Sequence, residues 1–262
     1  MKTIPCALLA ASLFLLGYPS SAQEPQTPQH APDGGTRETF DSIFIPSMPN
    51  APFRATVKTE WIRHLPDGSD IALKNHRSIV RDTTGRIYQE RAFFVPDDGK
   101  HESTVRQIEI SDPAAHELYV CRLAERSCRL TQFSPRAFVA SAAASGPPNK
   151  AGGAAGVESL GTQTIGGLET IGSRETTLVE SGTIGNEAPL LAKREFWYSP
   201  QLGINLITRR QDPRFASEQN FEVTDITLGE PDAKLFEPPS GYKVIDLRKP
   251  PVISSPPTSP EN

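Results

Sequence analysis

Residues 53–81, FRATVKTEWIRHLPDGSDIALKNHRSIVR, hold two strand-like segments on either side of a turn. In the first segment apolar and charged side chains alternate, so that Val57 and Trp61 fall on one side and Lys58 on the other. A period of two is typical of a β-strand. Residues 65–70, LPDGSD, contain the Pro, Asp and Gly that turns prefer. The stretch therefore predicts two consecutive antiparallel strands.

The same succession of short strands and turns continues along the chain. Helical periodicity is nearly absent, and only residues 36–44, TRETFDSIF, suggest a short helix. Many short strands joined by tight turns favour one antiparallel sheet, which curls when it has about ten strands. We therefore predict a mainly β fold: a single curved antiparallel sheet, an open or half barrel, of about ten strands with few short helices. Beyond the first two, the predicted strands are residues 86–95, 105–110, 117–122, 128–133, 158–165, 168–180, 190–198, 204–211 and 219–228.

Proline and glycine are concentrated at the two ends of the chain and in one internal stretch. Residues 23–50 and 246–262 are too polar and proline-rich to bury much surface, which predicts disordered or extended segments. Residues 141–156, SAAASGPPNKAGGAAG, are predicted to be a flexible insertion on the same grounds. Since neither remaining half has the apolar residues for a core of its own, residues 51–245 are predicted to form one domain.

Residues 1–22 have the pattern of a secretory signal peptide. One Lys precedes an apolar run over residues 7–16, and small residues lead to a cleavage site between Ala22 and Gln23. Cys6 lies before the apolar run, so it cannot be the lipidated cysteine of a lipoprotein. No later segment approaches the ~18 consecutive apolar residues of a membrane helix. We therefore predict an exported protein, periplasmic or extracellular, that is soluble after removal of the signal peptide.

Cys121 and Cys128 are the two cysteines that remain after export, and an oxidising compartment preserves disulfides. The residues around them alternate as in two strands of a hairpin, with 121 facing 128, 122 facing 127, and residues 123–126 as the loop. A zinc site requires four ligands, and only His116 lies nearby. A thioredoxin-type pair requires Cys-x-x-Cys. The spacing predicts a structural disulfide, with free thiols or a metal site as the alternatives.

The composition and motifs exclude several functions. A formal net charge of -4 at pH 7 and the lack of a basic cluster argue against a nucleic-acid partner. The sequence contains no Gly-x-Ser-x-Gly, His-Glu-x-x-His, Walker or Gly-x-Gly-x-x-Gly motif. We therefore predict that the protein is not an enzyme and has no cofactor and no metal site. The histidines are scattered and are interpreted as solvated or structural: His30, His64, His76, His101 and His116.

Four aromatic residues are the candidate binding residues. Trp197 and Tyr198 are neighbours in a predicted strand, so they point to opposite faces and at most one of them can line a cavity. The other two are Trp61 and Phe93. For all four, packing in the core or at its rim is the alternative interpretation, because aromatic side chains dominate core burial in general.

One local basic patch is predicted from Arg209, Arg210 and Arg214. The simpler interpretation is a solvated sheet edge that its charges protect from pairing with another strand. The alternative is contact with an anionic headgroup or with a partner protein.

The last quarter of the sequence resembles the end of a bacterial envelope half-barrel family. The matching features are the aromatic strand at residues 196–198, the turn with Leu202 and Gly203, a strand at 221–226 and the closing FEPPSGY at 236–242. This family includes LolA-LolB-like carriers of outer-membrane lipoproteins and lipid-sensing envelope-stress regulators. The first half also resembles uncharacterised exported proteins with this layout. The resemblance covers about residues 51–245, and it implies a concave sheet suited to an apolar ligand.

Two functions are compatible with these observations. The first is an exported, non-enzymatic binding protein that holds an apolar or amphiphilic ligand, a lipid or an acylated protein, on a concave sheet. The alternative is a structural or interaction protein of the cell envelope with a self-filled core and a protein partner. A carrier requires a connected apolar cavity of several hundred Å³, whereas a structural module is packed to the usual interior density.

Overall fold

The computed structural model describes residues 43–133 and 155–248. By its internal contacts the chain divides into two units, Met1–Thr39 and Phe40–Asn262, and every described residue belongs to the second. The predicted signal peptide, nearly all of the predicted insertion, most of both predicted tails and most of the predicted short helix lie outside the described residues.

Thirteen strands of the described residues form one sheet, and the one helical element is a single 3-10 turn, η1. The strands are mostly five residues or longer, which suits the period-two alternation of the sequence. The elements are β1 (Phe53–His64), β2 (Asp70–Arg81), β3 (Ile87–Ala92), β4 (Val95–Pro96), β5 (Val105–Asp112), β6 (Glu117–Arg122), β7 (Ser127–Gln132), β8 (Ala155–Ile165), β9 (Leu168–Val179), β10 (Leu190–Ser199), β11 (Ile204–Asp212), β12 (Ser217–Leu228), η1 (Ala233–Phe236) and β13 (Lys243–Asp246).

The strand order is β13-β7-β6-β5-β3-β2-β1-β12-β11-β10-β9-β8, with β4 paired to β2. Neighbouring strands are antiparallel except for β13, which runs parallel to β7. The sheet is not closed, since β8 and β13 are its two ends. This confirms the predicted fold class of a single, open, antiparallel sheet. The two strands that the sequence did not predict separately, β4 and β13, have two and four residues, too few for a recognisable alternation.

Alternation along β1 defines two faces of the sheet. The core face carries the buried side chains of Phe53, Val57 and Trp61, and the groove face carries Lys58 and Glu60. The main apolar cluster lies on the core face and combines residues from both halves of the chain. Its buried members are Ile43, Ile45, Phe53, Ala55, Val57, Ile79, Ile87, Leu168, Leu202, Ile204, Leu206, Phe221 and Val223.

Residues 43–50 precede β1 and contain no strand, but they take part in the core. Ile43 and Ile45 are buried in the main cluster. The sequence placed these residues at the end of the extended N-terminal segment. Their two apolar side chains show that the packed region begins before residue 51.

A second apolar cluster lies on the groove face beyond β2. Val80, Ile110 and Phe236 are its buried residues. The carboxylate of Asp232 caps η1 by accepting a hydrogen bond from the backbone N–H of Lys234 at 3.0 Å. Phe236 therefore covers this part of the sheet from a fixed turn rather than from a strand.

Arg81, the last residue of β2, is fully buried and joins three segments of the chain. Its guanidinium donates from Nε to the carbonyl of Ala51 at 3.0 Å, from Nη1 to Pro46 at 2.9 Å and from Nη2 to Leu202 at 2.8 Å. It also stacks over the ring of Phe53 at 5.0 Å. Burial lowers the pKa of Arg81 to about 10, so the group remains charged at neutral pH.

Asp82 organises the turn between β2 and β3. Its buried carboxylate accepts hydrogen bonds from Thr84 N at 3.0 Å, from Arg86 N at 2.8 Å and from Arg86 Nε at 2.6 Å. Burial alone would raise the pKa of Asp82, but the hydrogen bonds from Arg86 and Thr84 lower it overall. The folded state therefore favours the ionised carboxylate.

We expect Asp82→Asn to reduce the free energy of unfolding at pH 7 by about 1.5 kcal/mol, because the charged hydrogen bond to Arg86 is lost. Since the pKa of Asp82 is lower in the folded state, this contribution exists above the pKa of an unfolded aspartate and disappears as pH falls through the folded pKa. Urea unfolding at pH 7 and pH 3 measures it, and the difference between variant and wild type should shrink in acid. The exposed turn residue Asp67 provides the control, Asp67→Asn. Equal losses of unfolding free energy in the two variants at pH 7 would show that the buried contacts of Asp82 contribute no more than those of an exposed turn residue.

The cysteine hairpin has the predicted geometry. Cys121 faces Cys128 and Arg122 faces Ser127 across β6 and β7. A disulfide joins the two cysteines, which are both fully buried. Arg126 in the loop has a positive φ of 47° and donates its N–H to the carbonyl of Leu123 at 3.2 Å. The predicted disulfide is confirmed.

Candidate functional site, a charged groove

A groove of about 1140 Å³ lies on the groove face of the sheet. It crosses β2, β1, β12, β11, β10 and β9, and residues after β4 close one end. Ile207 and Phe221 are the only apolar residues of its lining, and the side chain of Phe221 packs in the main cluster on the core face. The full lining is Thr56, Lys58, Thr59, Glu60, Lys74, Asn75, His76, Asp97, Glu102, Arg174, Lys193, Glu195, Ile207, Arg209, Gln211, Glu218, Asn220, Phe221, Glu222 and Asp225.

Seven side chains in one cross-strand row form a ladder along the groove. Each is the register partner of the next, on seven consecutive strands from β2 to β8. Positive and negative groups alternate along the row except at its one amide, and opposite charges on neighbouring strands stabilise a sheet. We call this row the charge ladder: Lys74, Glu60, Asn220, Arg209, Glu195, Arg174 and Glu158.

Direct contacts hold much of the charge ladder in place. Asn220 Nδ2 donates to Glu60 Oε2 at 2.9 Å. Arg174 bridges two strands, with Nη2 donating to Glu195 Oε2 and Nη1 donating to Glu158 Oε2, both at 3.0 Å. These hydrogen bonds join side chains on neighbouring strands. The positions of the charged groups therefore follow from the register of the strands.

The contacts favour the ionised forms of Arg174, Lys74 and Glu195. The hydrogen bond to Glu195 raises the pKa of Arg174, and the hydrogen bond to Asp97 raises the pKa of Lys74. Burial works to raise the pKa of Glu195, but hydrogen bonds from Trp197 and Arg174 lower it overall. The groove therefore presents fixed charges of both signs.

Two lysines of the lining, Lys58 and Lys193, make no ion pair among the described residues. Both side chains are exposed. Lys58 lies between His76 on β2 and Glu222 on β12 in the strand register. These two ammonium groups are the charges most available to a ligand.

Trp197 lies at one side of the groove and is held by its neighbours. Its Nε1 donates to Glu195 Oε1 at 3.1 Å. A Cβ atom at Gly172, the register partner on β9, would lie 2.6 Å from a ring carbon of Trp197. Glycine at this position leaves the space that the indole ring occupies. Trp197 is therefore placed to report on changes at Glu195 and the groove.

The structure does not bring the four candidate aromatic residues together. Trp61 is buried on the core face, whereas Trp197 is half-buried on the groove face. Phe93 is 54% exposed after β3, with Arg106 stacked over its ring at 5.7 Å. Tyr198 is 41% exposed next to an irregularity in the pairing of β10 and β11. None of the four lines the groove, and a binding role for them stays a prediction.

The predicted basic patch is wrong as a single surface. Arg209 lies on the groove face and Arg210 on the core face, because neighbours in a strand point to opposite sides. Arg214 lies in the next turn, where its Nε donates to Asp212 Oδ1 at 2.8 Å. The three arginines therefore lie in three different environments and do not form one surface.

The histidines of the described residues that form ion pairs are exposed. His64 contacts Asp70 at 2.7 Å and Glu218 at 3.4 Å, and the hydrogen bond to Asp70 raises its pKa. His101 contacts Asp98 at 2.9 Å. Within residues 43–133 and 155–248, no group of three or more His, Cys, Asp or Glu side chains is arranged to hold a metal ion. The same residues include no helix of the length and apolarity needed to cross a membrane.

A second, smaller cavity of about 230 Å³ lies on the core face beside residues 44–47. Its floor is polar, since Glu109 accepts hydrogen bonds from Gln89 at 2.9 Å, Arg91 at 2.8 Å and Gln107 at 2.8 Å. This volume is below the about 300–1,000 Å³ of typical ligand pockets. The apolar part of the lining is Phe44, Ile45, Ile87, Leu118, Val120 and Phe133.

Comparisons with known proteins find similar structures but no matching family model. No protein-family model matches the sequence, and no curated protein matches it. An uncharacterised conserved protein from Thermus thermophilus is 11% identical, with a TM-score of 0.38 over 75% of this chain and 91% of that one. A chain of the Pseudomonas aeruginosa MucA/MucB complex is 13% identical, with a TM-score of 0.36 over 74% of this chain and 58% of that one.

A LolA superfamily protein from Nitrosomonas europaea is 10% identical, with a TM-score of 0.30 over 72% of this chain and 91% of that one. The solved structures that match thus include a member of the half-barrel family that the sequence resembles. With TM-scores from 0.30 to 0.38, these three similarities assign no ligand or activity to this chain.

Proposed function

We propose that this chain is an exported, non-enzymatic binding protein, and that the groove binds an extended, mixed-charge segment of a partner protein. The observation that carries the proposal is the lining of the groove, in which fixed charges of both signs surround only two apolar residues. This corresponds to the interaction protein that the sequence offered as its alternative function.

An acyl chain fits this groove poorly. Covering Lys58, Glu60 and Arg209 with hydrocarbon would remove charged groups from water without supplying partners, which is unfavourable. A polypeptide with side chains of both signs replaces water with opposite charges and hydrogen bonds. Charge complementarity of this kind also selects among partners.

The dimensions of the groove suit a short extended segment. Its lining spans six neighbouring strands, and strands lie about 4.8 Å apart, which gives a length of about 24 Å. An extended peptide advances about 3.3 Å per residue, so the groove accommodates about seven residues. The alternation of the charge ladder then favours a segment in which positive and negative residues alternate at every second position, because those side chains lie on the same face.

An apolar or amphiphilic ligand, a lipid or an acylated protein, is the second candidate. The apolar wall of the 230 Å³ cavity favours it, since this wall lies next to a polar network that could hold a headgroup. The volume limits the ligand to a small apolar group unless residues 44–47 move.

The test uses Trp197 as a reporter in a Trp61→Phe background, which removes the other tryptophan of the chain. Fluorescence titrations use a panel of heptapeptides, of which some carry Lys and Glu in turn at every second residue, so that both charges lie on one face of the extended peptide, and others are uncharged. We expect the alternating peptides to bind. The double substitution Lys58→Glu and Lys193→Glu should weaken them about tenfold, as expected for the reversal of two surface charges.

The control substitution is Lys234→Glu, an exposed lysine of η1 that does not line the groove. Added salt should weaken the interaction, because exposed charges are screened.

Native mass spectrometry of protein from the exporting host tests the second candidate, because it detects a lipid that remains bound during purification. A stoichiometric lipid, combined with no response to any heptapeptide, would overturn the proposed function in favour of the amphiphilic ligand.

A further inference from the structure

β8 is an edge strand whose outer side is not paired by any strand of the described residues. The backbone N–H and C=O groups of such an edge can pair with a further strand. The strand at the other end of the sheet, β13, has four residues and begins with Lys243. Short strands and lysines both protect an edge from pairing. β8 has eleven residues and contains no Lys, Arg or Pro, so it lacks both of these protections.

The part of β8 before its bulge exposes one apolar and one acidic side chain. The pairing with β9 is irregular between Ser159 and Gly161, and such a bulge bends a strand. Ahead of it, Val157 is 78% exposed, more than any other large apolar residue in the described part of the chain. Glu158 is the next residue, so its side chain points to the opposite face. The edge therefore presents an apolar contact on the core face and a carboxylate on the groove face.

Glu158 is the last member of the charge ladder and is only partly neutralised. Its Oε2 accepts a hydrogen bond from Arg174 Nη1 at 3.0 Å, and its side chain is 62% exposed. Its Oε1 accepts no hydrogen bond from a described residue. A strand added beside β8 would place one side chain directly opposite Glu158, where a positive charge is favourable. The alternation of the ladder thus extends naturally to a basic residue on the next strand.

The two faces of β8 together define the segment that fits its edge. If a basic residue lies opposite Glu158, its two sequence neighbours lie on the core face, one of them opposite Val157. An apolar side chain there would cover Val157, and apolar cross-strand pairs stabilise a sheet. The favoured pattern is therefore apolar, basic, apolar. This pattern is the same in both chain directions, so it serves a parallel or an antiparallel strand.

A second copy of β8 fits this edge less well than such a segment. Glu158 is the one charged residue of β8, so antiparallel pairing of two copies supplies no cation for either carboxylate. The bulge also prevents the two copies from pairing in one continuous register. Charge complementarity therefore favours a basic segment of a different protein.

We propose that the edge of β8 at residues 156–159 binds an extended segment of a partner protein by strand addition, with a basic residue opposite Glu158 and apolar residues on either side of it. Main-chain hydrogen bonds supply affinity in this mode of recognition, and the side chains supply specificity. This surface is separate from the groove and does not depend on the proposed function.

The test uses two fluorescein-labelled heptapeptides, Ser-Thr-Val-Lys-Val-Thr-Ser and the same peptide with Glu in place of Lys. Fluorescence anisotropy measures their binding to the protein. We expect the Lys peptide to bind more tightly. Glu158→Lys should weaken the Lys peptide about tenfold and reverse the preference between the two peptides, because the charge opposite the peptide is reversed.

Glu222→Lys is the matched control. It makes the same change of charge at an exposed residue that lines the groove, and it should leave the binding of the Lys peptide unchanged. Equal weakening by the two variants would place the peptide in the groove and overturn the proposal.

Methylation of backbone nitrogens in the Lys peptide tests strand addition itself. In an added strand the N–H groups of alternate residues point toward β8. One peptide is methylated at the nitrogens of both valines and another at the nitrogen of the lysine. Exactly one of the two should lose binding. Loss or retention of binding in both peptides overturns the proposal, and so does a concentration-dependent dimer in sedimentation that the Lys peptide does not dissociate.

Discussion

Replacing Arg81 with Met is expected to reduce the free energy of unfolding by about 3–5 kcal/mol, because it removes three hydrogen bonds from a charged donor, each worth about 1.5 kcal/mol. The variant removes the donors to the carbonyls of Ala51, Pro46 and Leu202. The Pro46 carbonyl still accepts from the N–H of Met48 at 2.9 Å. It also loses the contact with Phe53. Urea unfolding followed by circular dichroism measures the change.

Arg63→Met is the control for this substitution. Arg63 lies in β1, and its side chain is exposed. Its replacement should change stability by less than about 0.5 kcal/mol, as is usual for surface positions. A loss below about 1 kcal/mol for Arg81→Met, within the range of a single ordinary hydrogen bond, would show that Arg81 does not hold the three segments together.

Removing the disulfide with Cys121→Ala and Cys128→Ala is expected to reduce the free energy of unfolding by about 2.5 kcal/mol, from the chain entropy of a small closed loop. Loss of two buried sulfur atoms adds to this value. Urea unfolding of the wild-type protein under a reducing agent should approach the stability of the double variant. The result that contradicts this expectation is an oxidised protein no more stable than the reduced one.

The strands were predictable because each carries its own alternation of side chains. In β1, for example, the apolar residues Val57 and Trp61 alternate with the charged Lys58, and this pattern is visible without knowing any other strand. The hairpin of Cys121 and Cys128 was predictable for the same reason, since both of its strands and its loop are local. β13 was not predicted as a strand, because its four residues pair with β7 through a connection of more than 100 residues.

The groove could not be predicted from the sequence. Its charges come from strands that are distant in the chain, and Glu60 contacts Asn220 across 160 residues. The alternation of Arg174, Glu195 and Arg209 is visible only when the register of three strands is known. Arg81 looked like any other strand arginine, because its burial depends on carbonyls contributed by residues 46, 51 and 202.

The pairing of β1 with β12 sets the order in which this protein can fold. These strands lie side by side at the centre of the sheet, yet β1 is the first strand of the described residues and β12 is the last but one. A chain emerging from a ribosome or a translocase presents β1 long before β12 exists, so the earliest segment must wait for one of the latest. Contacts of such long sequence separation slow folding to the range of milliseconds to seconds.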